Sequence, residues 1–111
     1  MKLAMVSRPL AEADLRLARQ MGMTDVVTTV AGVSMAPQRE QGPPLRYEDL
    51  LALRQRVEAQ GLRLSVIEGY QLSDRITLGM PGRDEDLASV CESIRAMGRA
   101  GIPVYCYNFM A

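Results

Sequence analysis

The stretch Gln60-Gly61-Leu62-Arg63-Leu64-Ser65-Val66-Ile67-Glu68 decides the fold. A helical pattern ends at its glycine, and an apolar, strand-like run follows at once. Glycine just past a helix takes the left-handed backbone conformation that lets the chain turn back. The pattern recurs on both sides. Met21-Gly22 leads into Asp25-Val26-Val27-Thr28-Thr29, and Ala100-Gly101 leads into Ile102-Pro103-Val104-Tyr105-Cys106-Tyr107. The spacing from Gly61 to Gly101 is the length of one βαβ unit. With Leu3–Val6 as an opening strand, the predicted order is β-α-β-α-β-α-β: four parallel strands and three helices, an α/β half of a (β/α)8 barrel. The whole chain, 1–111, then forms one partial domain, because a complete barrel takes about 250 residues.

The helical segments carry apolar residues at helical spacing. Leu10, Ala13, Leu17 and Met21 form the first stripe, with Pro9 suited to a first turn. Leu50, Leu53 and Val57 form the second. Leu87, Val90, Cys91, Ile94 and Met97 form the third, opened by Asp84, Glu85 and Asp86 at the positive end of the helix dipole. Methionines in these stripes read as core filler. On the same reading Cys91 and Cys106 are shielded and slow to react.

Two connections are long: Val30–Arg46, with Gly32, Pro37, Gly42, Pro43 and Pro44, and Glu68–Arg83. Both follow a strand and precede a helix, which puts them on the face where α/β folds place their sites. The candidate site residues on that face are Glu68, Arg83, Tyr107 and Asn108. Glu68 is expected to end strand three, as a base, a ligand or a solvated glutamate. Arg83 could fork onto a substrate carboxylate or pair with a neighbouring acid. Tyr107 and Asn108 end strand four. Tyr105, Tyr107 and Phe109 alternate and share one strand face, which a helix-facing aromatic layer would explain. The glycines of Gly79-Met80-Pro81-Gly82-Arg83-Asp84 are not followed by Gly-Lys-Ser/Thr, so a nucleotide loop is rejected.

Composition narrows the chemistry. Thirteen basic and thirteen acidic residues cancel, which argues against nucleic acid or an anionic membrane as partner. The sequence has no histidine, which rules out Ser-His and Cys-His nucleophile pairs and imidazole metal sites. The two cysteines lack zinc or CxxC spacing, as expected of reduced thiols in the cytoplasm. Arg8 interrupts the opening apolar run too soon for a signal peptide, and no run reaches a membrane span.

Val66-Ile67-Glu68, Ile76-Thr77-Leu78-Gly79-Met80-Pro81-Gly82-Arg83-Asp84, and Ala100-Gly101-Ile102-Pro103-Val104-Tyr105-Cys106-Tyr107-Asn108-Phe109-Met110 together resemble the mannonate dehydratases. The resemblance covers the second half of the chain. Leu3–Arg8 and the loop through Pro43 and Pro44 depart from the family pattern. It implies a xylose-isomerase-like barrel and a lyase of carbohydrate metabolism, in hexuronate degradation, that dehydrates D-mannonate to 2-dehydro-3-deoxy-D-gluconate with Mn2+ or Fe2+. The family's histidine and cysteine ligands come from later strands, so no metal is expected on this chain, which would be inactive alone. The alternatives are a fragment of a related sugar isomerase or epimerase, or a small non-catalytic α/β module. A half-barrel leaves open edges and an uncovered face, so a homo-oligomer or aggregation-prone chain is expected.

Overall fold

The computed structural model describes residues 1–7, 10–30 and 39–108, with backbone only for Gly69, Tyr70 and Asn108. Pro9, Gly32, Pro37 and Phe109, on which parts of the sequence reading fall, lie outside the described residues. The elements run β1 (Ala4–Val6), α1 (Glu12–Gln20), β2 (Asp25–Thr28), α2 (Tyr47–Glu58), β3 (Arg63–Gln71), α3 (Asp74–Thr77), α4 (Arg83–Arg99) and β4 (Val104–Asn108). The strands form one parallel sheet in the order β1-β2-β3-β4, so each helical connection returns the chain to the neighbouring strand. This is the expected four-stranded α/β arrangement, with one addition. The connection after β3 contains the single-turn helix α3, whose first turn is capped where Ser73 Oγ accepts from the Ile76 amide at 3.3 Å.

Gly22, Gly61 and Gly101 have φ of 79°, 72° and 72°, so the three helix-to-strand reversals use the left-handed conformation that the sequence predicts. The core lies between the sheet and its helices. Val26, Leu64 and Ile67 of the strands are sealed beneath Leu15 and Ala18 of α1, Leu50 and Val57 of α2, and Val90 and Met97 of α4. Burying a valine, leucine, isoleucine or methionine side chain in such a core stabilises by about 1.5–3 kcal/mol relative to exposure.

The second helix buries the stripe that its spacing predicts, but the first and last do not. In α1 the buried residues are Leu15 and Ala18, while Leu17 and Met21 stand exposed. In α4 the buried set is Asp86, Val90, Ser93, Ala96 and Met97, and Leu87 and Ile94 are exposed. Cys91 is therefore exposed rather than shielded, and Cys106 is half-buried. Both helices carry two apolar sides, and periodicity alone cannot say which one meets the sheet. Ser93 and Asp86 can occupy the buried side because hydrogen bonds satisfy them there.

Strand β3 is out of step with both neighbours. Its register against β2 shifts between Val26 and Val27, which pair with Leu64 and Val66. Against β4 it shifts again, with Ile67 opposite Tyr105 but Tyr70 opposite Tyr107. Each shift is a one-residue bulge on β3.

Candidate functional site

The C-terminal strand ends and the connections that follow them form one face. Glu68 does not end its strand as expected. It sits half-buried at the second bulge, and β3 continues to Gln71. The bulge and Gly69 break the alternation that would have revealed this continuation. Tyr107 and Asn108 close β4 and pair in register with Tyr70 and Gln71, so β3 and β4 bring them within a few residues of Glu68. Tyr107 is half-exposed, and its ring stacks on Tyr105 at 6.3 Å between centroids; of the two only Tyr105 packs against the core, so the expected helix-facing layer does not include Tyr107. Arg83 opens α4 and is exposed; its Nε donates to Asp84 Oδ1 at 3.3 Å, an ordinary surface pair. Three candidates thus share the β3–β4 end, while Arg83 opens α4 after the α3 connection.

A polar cluster that sequence reasoning missed fixes this face. Asp86, buried in the first turn of α4, accepts from Ser73 Oγ at 2.6 Å and from the Gln41 amide at 3.1 Å. The Gln41 side chain bridges in turn: its Nε2 donates to the Gln71 carbonyl at 3.3 Å, and its Oε1 accepts from the Ser73 amide at 3.2 Å. Arg75 pairs with Glu40 and lies 3.8 Å from Asp86. Ser89 Oγ donates to the Gly42 carbonyl at 2.8 Å, and Ser93 Oγ accepts from the Leu45 amide at 3.0 Å. The segment after β2 is thereby bonded to the segment after β3 and to α4. A serine one residue ahead of a short helix was the only sequence signal for it.

The opposite end of the sheet is closed by Asp25. Its carboxylate accepts from Ser65 Oγ, from Thr24 Oγ1 at 2.6 Å and from Arg63 Nε at 2.9 Å. The Ser65 and Thr24 hydroxyls, helped by the Arg63 guanidinium and opposed by burial, hold its pKa down to about 2. This is the end where barrels keep stability rather than chemistry.

Among the described residues no three of Cys, Asp and Glu converge, and the sequence offers no histidine as a further ligand. Among the described residues no helix is long and apolar enough to cross a membrane.

Consecutive parallel βα units with long connections on one face define an α/β barrel segment. The comparisons agree: the family model for D-mannonate dehydratase (UxuA) matches residues 7–111, and the chain belongs to that family. The match reaches back to residue 7, beyond the half that carries the motifs. Mannonate dehydratase from Streptococcus equi subsp. zooepidemicus is 45% identical over 89 residues, 80% of this chain and 23% of that protein. Its counterpart from Thermotoga petrophila is 43% identical over 63 residues, 57% of this chain and 18% of that protein. The crystal structure of mannonate dehydratase from Streptococcus suis serotype 2 superposes with a TM-score of 0.80 at 36% identity. That match covers 99% of this chain and 30% of the other. The chain thus spans about a quarter of the length of the first of these relatives.

Proposed function

We propose that this chain is the N-terminal part of a mannonate dehydratase barrel, one partial domain that supplies substrate-side groups to the conversion of D-mannonate into 2-dehydro-3-deoxy-D-gluconate and water. The observation that carries this reading is the superposition over 99% of the chain on 30% of a mannonate dehydratase. In this reading the sugar acid lies across the β3–β4 strand ends. Glu68 and Asn108 meet its hydroxyls, Tyr107 borders it, and Arg83 forks onto its carboxylate when it releases Asp84. Mn2+ or Fe2+, supplied in the family for polarising the sugar acid, would be held by residues outside these 111. Neither nucleic acid nor a membrane has a part, and the setting is cytoplasmic carbohydrate metabolism.

The test is a chimera in which this chain replaces the matching segment of the Streptococcus suis enzyme. The chimera is expected to dehydrate D-mannonate, and Glu68→Gln or Arg83→Ala in it is expected to raise KM. The 111-residue protein alone is expected to form no keto-deoxy acid with either metal. Turnover by the isolated chain, or a folded chimera whose KM ignores both substitutions, would overturn the assignment.

A further inference from the structure

Strand β3 outlasts β2. The last pair between them is Thr28 with Ile67, while β3 runs on to Gln71. On the β4 side these last residues are paired, with Gln71 opposite Asn108. On the β2 side, among the described residues, no strand residue pairs with β3 after Ile67. A side chain supplies the bonds there instead. Gln41 Nε2 donates to the Gln71 carbonyl at 3.3 Å, and Gln41 Oε1 accepts from the Ser73 amide at 3.2 Å. A carbonyl and the amide two residues further on are the two groups that one residue of a parallel neighbour engages. The Gln41 amide group therefore takes the place of a strand residue beside Leu72. Its own backbone is fixed in turn, because the Gln41 amide donates to Asp86 Oδ2 at 3.1 Å. The same carboxylate oxygen accepts from Ser73 Oγ at 2.6 Å, and both Asp86 and Ser73 are buried. The bridge is thus held at both ends, where an unmade bond is costly.

Resting on the reading of the β3–β4 end as the substrate side, we infer that Gln41 is a positioning residue for the sugar-acid site. It keeps the end of β3 in the register that sets Gln71 beside Asn108. Glu68 lies between the last β2 pair at Ile67 and the Gln41 bridge at Gln71, so the bulge that carries it is tied on both sides. Without the bridge the end of β3 would hang on β4 alone, and Glu68 and Asn108 would lose their fixed separation. A small displacement of groups that meet a substrate is enough to weaken its binding. Gln41 itself acts only through the backbone of β3 and the turn after it.

D-mannonate kinetics of the Streptococcus suis chimera test this role. Gln41→Met keeps the length of the side chain and removes both of its bonds. KM is expected to rise roughly three- to tenfold, with kcat held within about twofold. Gln41→Glu keeps the acceptor for Ser73 but sets a carboxylate oxygen against the Gln71 carbonyl, so KM should rise at least as far. Ser89→Ala loosens the same segment without touching β3, since it removes only the bond from Ser89 Oγ to the Gly42 carbonyl. Its KM should stay within about twofold of the unsubstituted chimera. Hydrogen exchange gives a readout apart from activity: the Ser73 amide should exchange at least about tenfold faster in Gln41→Met and at its original rate in Ser89→Ala. A KM unmoved by either Gln41 substitution, in a chimera that still responds to Glu68→Gln, would overturn the positioning role and leave the proposed function standing. Equal rises in Gln41→Met and Ser89→Ala would do the same. A chimera whose KM ignores Glu68→Gln and Arg83→Ala would overturn the proposed function, and the positioning role with it.

Discussion

Arg54 Nη1 donates to the carbonyl oxygen of Ala100 at 2.8 Å, joining residues 46 positions apart and laying the guanidinium over Gly101. One unit earlier Arg19 lies over Gly61 in the same way, its Nε 3.3 Å from where a Cβ would stand. Gly61 and Gly101, two of the three reversal glycines, are thus each covered by an arginine from the long helix of the preceding unit, whereas Gly22 has no such neighbour. The geometry binds successive βα units at the end of the sheet away from the candidate site.

Gly101→Ala is expected to destabilise by roughly 1–3 kcal/mol. The new Cβ would stand 2.5 Å from Arg54 Nη1, so the guanidinium must swing away and lose its bond to Ala100, and φ of 72° strains any side chain. Gly22→Ala meets nothing within 4 Å and should cost only the strain at φ of 79°, about 1 kcal/mol. Urea denaturation of the two variants side by side checks the difference.

The two sides of α1 should respond differently to truncation. Leu15→Ala is expected to cost about 2–5 kcal/mol, since Leu15 is only 1% exposed. Leu17→Ala should stay within about 0.5 kcal/mol, since Leu17 is half-exposed. Thermal melts would measure both. Equal losses would mean that the helix is turned as the simple stripe Leu10-Ala13-Leu17-Met21 predicts.

Asp25 sets a pH dependence. Its folded pKa of about 2 lies below the ordinary value of 3.8, so its contribution is fully present above that ordinary value and is lost as pH falls through about 2. Arg63 is half-exposed, which screens part of the effect, and a contribution on the order of 1–2 kcal/mol is expected. Asp25→Asn should lower stability at neutral pH and flatten the acid limb of the stability curve. Denaturant titrations from pH 6 down to 2 are the measurement.

Asp86→Ala should leave the Ser73 hydroxyl and the Gln41 amide without their acceptor and cost about 2–3 kcal/mol. Ser73→Ala removes one partner and should cost about 1 kcal/mol. Limited proteolysis reads the local consequence: cleavage between residues 39 and 46 should speed up most in Asp86→Ala. Unchanged cleavage would show that the cluster does not hold that segment.

The sequence exposed what repeats and concealed what is exceptional. Reversal glycines and apolar runs made the strand order and the buried stripe of α2 readable, because turn chemistry and periodicity are local. The buried sides of α1 and α4 were not, since Leu15 and Leu17 are equally apolar and only the position of the sheet separates them. The position of Glu68, Tyr107 and Asn108 near the ends of β3 and β4 was legible from the apolar runs that lead up to them. Asp86 was legible as a helix-dipole charge but not as a buried acceptor, because Gln41 and Ser73, its partners, are distant in sequence. The Asp25–Ser65 pair was hidden for the same reason, and by a bulge that moves Ser65 out of step.

Strand β3 also has a parity that its neighbours lack. A ladder counted in twos must be restarted after Leu64 and again after Ile67, because each bulge changes which residues are odd and which are even. Removing one residue at Glu68 or Gly69 would let the β3–β4 ladder run on without a break. Tyr70 and Gln71 would keep their partners Tyr107 and Asn108 and their faces, because the bulge already absorbs the extra residue. Length is therefore negotiable at this one place in the strand, whereas a single-residue deletion within a regular stretch of the ladder would turn the rest of the strand inside out.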